Sequence, residues 1–233
     1  MKIDVENLKL PNWGTYSVEQ SDFYSDTDIH SLLCRYKLMH IFQIFCIARA
    51  QLLFSDERTK YGELDSDGKN GEILNKIFLQ NALLYYNFCI DLSWSMVYFY
   101  VLPLKNPNKV LQEEIDEAEK IINYKFLIGY LKSVCKLTTS KFETKITKLL
   151  EIVTDFWEKT VNKEFRKMYN YTKHRGAYDI LGINSKKLLN IERSDGTIDV
   201  VNSKIFDIKK VTTTLIQFND RYIEYIDDIV EIV

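Results

Sequence analysis

The chain has 233 residues, a formal net charge of −2, 46% hydrophobic and 27% charged residues, and only 8 Gly and 3 Pro. That length allows one substantial core or at most two small domains, and the shortage of turn formers favours long helices over many short strands. A charge near zero removes any whole-molecule case for nucleic-acid or membrane binding, so such a case must rest on local charge.

The four cysteines, Cys34, Cys46, Cys89 and Cys135, are scattered through apolar stretches with no C-x-x-C pair. They read as buried free thiols of a reducing cytoplasm. The start, Met1-Lys2-Ile3-Asp4-Val5-Glu6, has no apolar signal core, and a cytoplasmic chain is expected. Residues 1–24 alternate at Ile3, Val5, Leu8 and Leu10 before Pro11-Asn12-Trp13-Gly14, which predicts an extended arm lying on the core. Ser25-Asp26-Thr27-Asp28 is a helix start with a capping-box pattern. The helix it opens runs to about Phe54. It is apolar on most of its circumference (Leu33, Ile41, Ile44, Phe45, Ile47), as a centrally buried helix would be.

Residues 55–72 form a polar loop. Its Asp65-x-Asp67 resembles the opening of a calcium loop, but Lys69 and Lys76 stand where ligands belong. A second helix covers about 72–102. Its run Ile77–Leu102 is the most hydrophobic in the chain, yet Gln80, Asn81, Asn87 and Asp91 interrupt it, so it reads as a buried helix and not a membrane span. Pro103 and Pro107 separate it from a third helix, about 109–136, acidic at its start, basic at its end and open to a bend at Gly129. A fourth helix, about 139–175, carries Phe142, Ile146, Leu149, Leu150, Val153, Trp157, Val161 and Met168 at helical spacing. Ser194-Asp195-Gly196 between two β-prone runs predicts a hairpin. A last helix turns Ile205, Ile208, Val211, Leu215, Phe218, Tyr222, Ile226 and Ile229 inward. The expected fold is all-α: a single helical domain, residues 1–233, of about five long helices. Residues 1–24 are the arm, 25–175 a four-helix core, 188–201 a small C-terminal β-hairpin insertion and 203–233 the C-terminal helix.

The densest chemistry lies in Phe165–Gly176. A helix turns about 100° per residue, so Arg166, Asn170 and His174 share one side, and Tyr169 and Lys173 form the adjacent row. From Trp157 to Lys187, eight basic residues against three acidic ones leave a local charge of +5, with Phe165, Tyr169, Tyr171 and Tyr178 interleaved. Fixed cations hold phosphate, an imidazole moves a proton near neutral pH, and aromatic faces stack bases, so the strip suits single-stranded RNA or a nucleotide. A role without a ligand explains the same residues: Lys and Arg at a helix C-terminus complement the dipole, and a His there caps carbonyls.

Tyr169-Asn170-Tyr171-Thr172-Lys173-His174-Arg175-Gly176 resembles the motif of the HEPN superfamily, which reads Arg-Asn-x-x-Lys-His-Arg-Gly. Asn170, Lys173, His174, Arg175 and Gly176 match it, and Asn87-Phe-Cys-Ile-Asp91-Leu-Ser-Trp94 resembles the polar-in-apolar second helix of such proteins. The resemblance implies a compact helical bundle, a homodimer with two motifs facing each other, and metal-independent ribonuclease activity in a defence or toxin-type system. It implies that the 2′-hydroxyl attacks the adjacent phosphate, that His174 handles the proton, with Asn170 beside it in the motif, and that Arg175 or Arg166 holds the phosphate. Lys173, Tyr169, Tyr171 and Lys167 are the flanking binding residues. Tyr169 stands where the family has its Arg, and Arg166 lies eight positions before His174, outside the family spacing. The alternative is a catalytically inactive relative that binds a protein or nucleotide with the same face.

Asp91, in the most apolar helix, needs a partner or a proton. Lys173, His174 or Arg175 can supply one, in a structural ion pair or by orienting His174, with Asn87 one turn away in the same network. His30, Cys34, His40 and Cys46 share the first helix but do not have zinc spacing. No metal or cofactor is expected.

Overall fold

The computed structural model describes residues 8–16, 29–56, 69–102, 111–137, 141–160, 163–175, 179–180, 188–202 and 205–233. Seven helices lie among them: α1 (Ile29–Phe54), α2 (Lys69–Val101), α3 (Leu111–Ile121), α4 (Tyr124–Leu137), α5 (Lys141–Lys159), α6 (Lys163–Arg175) and α7 (Ile208–Val230). The short strands are β1 (Asp179–Ile180), β2 (Leu188–Glu192), β3 (Ile198–Asn202) and β4 (Ile205–Phe206). The chain is mostly helical, as an all-α reading requires. The Ser25–Asp28 start signal and the Asp65–Asp67 loop lie outside the described residues.

Two expected helices are each two helices. The third breaks at Asn123, whose side-chain oxygen accepts from the Phe126 amide at 3.0 Å and whose amide donates to the Ile121 carbonyl at 3.1 Å. One side chain thus caps both ends of the break. The expected bend at Gly129 falls inside α4, where a Cβ would meet nothing within 4 Å. The fourth breaks after Lys159, whose carbonyl accepts from Arg221 Nη1 at 3.4 Å. The last helix begins at Ile208, later than expected. Asp207 caps it, its carboxylate accepting from the Lys209 amide at 2.8 Å, and Ile205 lies in β4 opposite Asp179.

The chain divides into two compact units. The first takes in Met1–Leu8, Ile47–Leu84 and Lys163–Asn219. Its buried residues include Leu52, Leu79, Leu83, Phe165, Leu215 and Phe218. Phe165 and Phe218 stack at 4.5 Å with their planes 9° apart. The guanidinium of Arg49 donates to the Leu8 carbonyl at 3.0 and 3.2 Å. In the same unit β2 and β3 pair antiparallel, Leu188 opposite Asn202, and the turn is closed by the Asp195 carboxylate accepting from the Thr197 amide and hydroxyl. Gly196 takes φ +78° there, a conformation that favours glycine.

The second unit takes in Lys9–Cys46, Tyr85–Asn162 and Asp220–Val233. Leu127 and Leu131 of α4 and Ile146, Leu149 and Val153 of α5 are fully buried. The buried row of α5 continues to Phe156, which stacks on Tyr225 at 3.9 Å, while Phe142 is 40% exposed instead of inward-facing. The arm enters this core through Trp13, at the head of a 3-10 turn.

Along its length α1 buries Leu33, Cys34, Lys37, Leu38, Ile41, Phe45, Ala48 and Leu52, while Ile47 is 40% exposed. Among the described residues α1 is the one helix long and apolar enough to cross a membrane by length and composition. Arg35, Lys37 and Arg49 lie along it, and Lys37 and Arg49 are bonded within the protein.

Lys37 is 5% exposed and pairs with Glu119 of α3. Its ammonium also lies 5.5 Å from the Phe99 ring centroid. Removing only the carboxylate strands a buried cation, whereas removing both charges does not. Glu119→Ala is expected to cost about 2 kcal/mol in urea unfolding, and Lys37→Met in the same chain to recover most of it. Equal losses in the single and double variants would contradict the coupling.

Candidate basic face on helix α6

The local sequence sets the two faces of α6. Phe165, Met168 and Tyr169 recur at helical spacing and are buried, and Thr172 returns its hydroxyl to the Met168 carbonyl at 3.0 Å. Lys167, Asn170 and Lys173 are exposed; Arg166 and Tyr171 are half-buried. The helix carries five Lys or Arg and one acid, Glu164.

Tyr169 organises the cations. It is 5% exposed, with the Arg166 guanidinium 5.4 Å and the Lys173 ammonium 5.6 Å from its ring centroid. One step of three and one of four along the helix bring both cations to the same ring. An aromatic face attracts a cation, so both side chains are held near one place. Such a pair presents two positive charges to an anion along one helix face. The sequence places Tyr169 and Lys173 on one row, as observed. It does not reveal that Arg166 joins them or that Tyr169 faces the core.

The helix ends at Arg175, so the motif 169–176 occupies its C-terminal half. The side chains of His174 and Arg175, and Gly176 with them, lie outside the described residues. The expected pairing of Asp91 with them therefore lies outside as well.

Asn87 is fully buried and Asp91 half-buried on α2, in the second unit. Around them runs a polar network that periodicity does not announce. Tyr222 donates to the Cys89 carbonyl at 2.6 Å, and Ser93 lies 3.2 Å from the Tyr225 hydroxyl while donating to the Ile90 carbonyl at 2.7 Å. Burial raises the phenols of Tyr222 and Tyr225 well above their ordinary range. These groups tie α2 to α7.

His30 and Cys34 are committed to backbone. His30 Nδ1 lies 3.0 Å from the Phe99 carbonyl, and Cys34 donates to the Met96 carbonyl at 3.4 Å. The imidazole of His40 packs on Tyr36 at 4.3 Å. Burial first and the Lys37 charge second lower its pKa, against the pull of Glu119. Among the described residues no group of three or more His, Cys, Asp or Glu is placed to hold a metal ion.

No family model, curated protein or solved structure matches the chain. The likeness to the HEPN superfamily therefore rests on the short runs 169–176 and 87–94.

Proposed function

We propose that the chain is a HEPN-like RNA-binding protein that holds the phosphate backbone on the basic face of α6. The observation that carries this reading is the pair of cations, Arg166 and Lys173, gathered on the buried ring of Tyr169. Lys167 and Asn170 extend the face as exposed donors, and Tyr171 adds a half-buried aromatic edge. Two cations on one helix face can each take a backbone phosphate, and an aromatic edge tolerates any base.

Binding without cleavage is favoured by Tyr169. The position that carries an Arg in the family motif holds a buried phenol here, so the phosphate contact passes to Arg166 and Lys173. In the cleaving alternative His174 transfers the proton and Arg175 supports the phosphate, in a homodimer that sets two motifs face to face.

Fluorescence anisotropy with a single-stranded RNA oligonucleotide tests the reading. Wild type is expected to bind with strong salt dependence. Arg166→Ala/Lys173→Ala is expected to weaken binding about tenfold to a hundredfold and to flatten the salt slope by about 0.7 for each phosphate the variant no longer neutralises. Equal affinity in the folded double variant, or no binding by wild type at low salt, would sink the proposal. RNA cleavage that disappears in His174→Ala would establish the enzymatic alternative.

A further inference from the structure

A groove of about 1050 Å³ lies in the second unit, lined by α5 and α7 with Lys132 of α4. Its apolar lining comes from Leu150, Ile152 and the stacked rings of Phe156 and Tyr225. Its carboxylates are Glu151, Asp155 and Glu158 of α5 and Glu224 and Asp228 of α7, all exposed. A long groove with exposed charged walls and some apolar lining suits the face of a helix better than a small ligand. We propose that it docks the basic face of α6 from a second copy of this chain.

The charge of the groove selects that occupant. Five carboxylates stand against three cations, Lys132, Lys159 and Arg221. Lys159 is paired with Asp155 at 2.5 Å, and Arg221 donates to the Lys159 carbonyl at 3.4 Å. The α7 wall is the more negative one. Glu224, Asp227, Asp228 and Glu231 crowd the end of a helix with no basic residue in its last turn, where the dipole already disfavours acids. Burial first, then the charges of Glu231, Glu224 and Asp227, raise the Asp228 carboxyl above its ordinary range. A cationic partner relieves that crowding.

The same chain carries such a partner. Lys167 and Lys173 are exposed on α6, with Arg166 half-buried beside them. Half-buried Tyr171, one turn beyond Lys167, brings a ring edge to the apolar lining. Face and groove lie on different elements, so the contact is head-to-tail. Each docked copy still offers one face to a third, and the assembly grows with concentration. The contact rests on charge and shape and does not depend on RNA being the other occupant of α6.

Sedimentation velocity of the full chain, freed of nucleic acid, tests the docking. Wild type is expected to sediment faster as its concentration rises at low salt and to return to monomer at high salt. Glu224→Lys/Asp228→Lys reverses the groove and Lys167→Glu/Lys173→Glu reverses the face; each variant alone is expected to stay monomeric. Mixing the two is expected to restore the larger species, because the unaltered α6 of the first meets the unaltered groove of the second. All four positions are exposed, and helical circular dichroism confirms that both variants fold. A wild type that stays monomeric at low salt, a variant that associates as wild type does, or a mixture that stays monomeric would overturn the docking. The groove variant keeps α6 intact, so its binding of RNA reports on the RNA reading separately.

Discussion

Replacing Trp13 by alanine is expected to lower the unfolding free energy by about 3–5 kcal/mol, the usual cost of emptying a buried aromatic position. Trp13 is 2% exposed. Its ring lies 5.3 Å from Phe45 and 6.1 Å from Tyr222, and its indole N–H donates to Asp227 Oδ1 at 2.7 Å. Phe45 in turn stacks on Tyr222 and meets Tyr86 edge-on, both at 5.7 Å. The indole is therefore one wall of an aromatic cluster that joins α1, α2 and α7 in the second unit. Alanine removes the wall, and the neighbours, held to one another, collapse into the space only in part. Trp13→Phe keeps most of the volume and forfeits only the bond to the exposed Asp227, so a loss of about 1 kcal/mol is expected. Urea unfolding followed by circular dichroism measures both. A loss below about 1 kcal/mol for Trp13→Ala would mean that the arm lies on the core without completing it.

Strong periodicity made parts of this fold legible. Val211, Leu215, Phe218, Tyr222, Ile226 and Ile229 are spaced at three or four, and all are buried on α7. The breaks were harder to read because neither uses Gly or Pro. At the first, Asn123 makes a cap that competes with helix continuation only once both ends are in place. At the second, Thr160-Val161-Asn162 offers two β-branched residues and a cap-forming Asn, a weak signal inside a long amphipathic pattern. Burial of Lys37 was not legible at all, since its partner Glu119 is 82 positions away. The cluster on α6 shows the same limit. Sequence spacing puts Arg166, Tyr169 and Lys173 within reach of one another, but which of them faces inward depends on Phe165 meeting Phe218 of a distant helix. In α1 the exposure of Ile47 was not legible, because apolar residues are common on protein surfaces and it carries no partner signal of its own.

Alkaline unfolding is expected to be steep, and it follows from the same aromatic core. Tyr98, Tyr124, Tyr130, Tyr222 and Tyr225 all have phenols raised above their ordinary range, with burial as the largest cause, and that of Tyr130 is pushed up to about 12. A raised phenol keeps its proton in the folded chain at a pH where the unfolded chain has lost it. The folded state then binds more protons, so stability falls as pH rises. This contribution is complete below a pH of about 10, the unfolded value, and is lost as pH rises through about 12 for Tyr130 and higher still for Tyr222 and Tyr225. Tyrosinate absorbance should therefore rise in two stages, first from exposed members of the 15 tyrosines and then in a cooperative step that coincides with loss of helical circular dichroism. A single gradual wave with the helix signal intact would contradict this. Tyr222→Phe separates the two roles of that hydroxyl. It gives up the 2.6 Å bond to the Cys89 carbonyl, worth about 1 kcal/mol at neutral pH, and it removes one buried acid, so its cooperative step should move to higher pH. A variant less stable at neutral pH yet more resistant to alkali would identify proton release from the α2–α7 network as the event that opens the core.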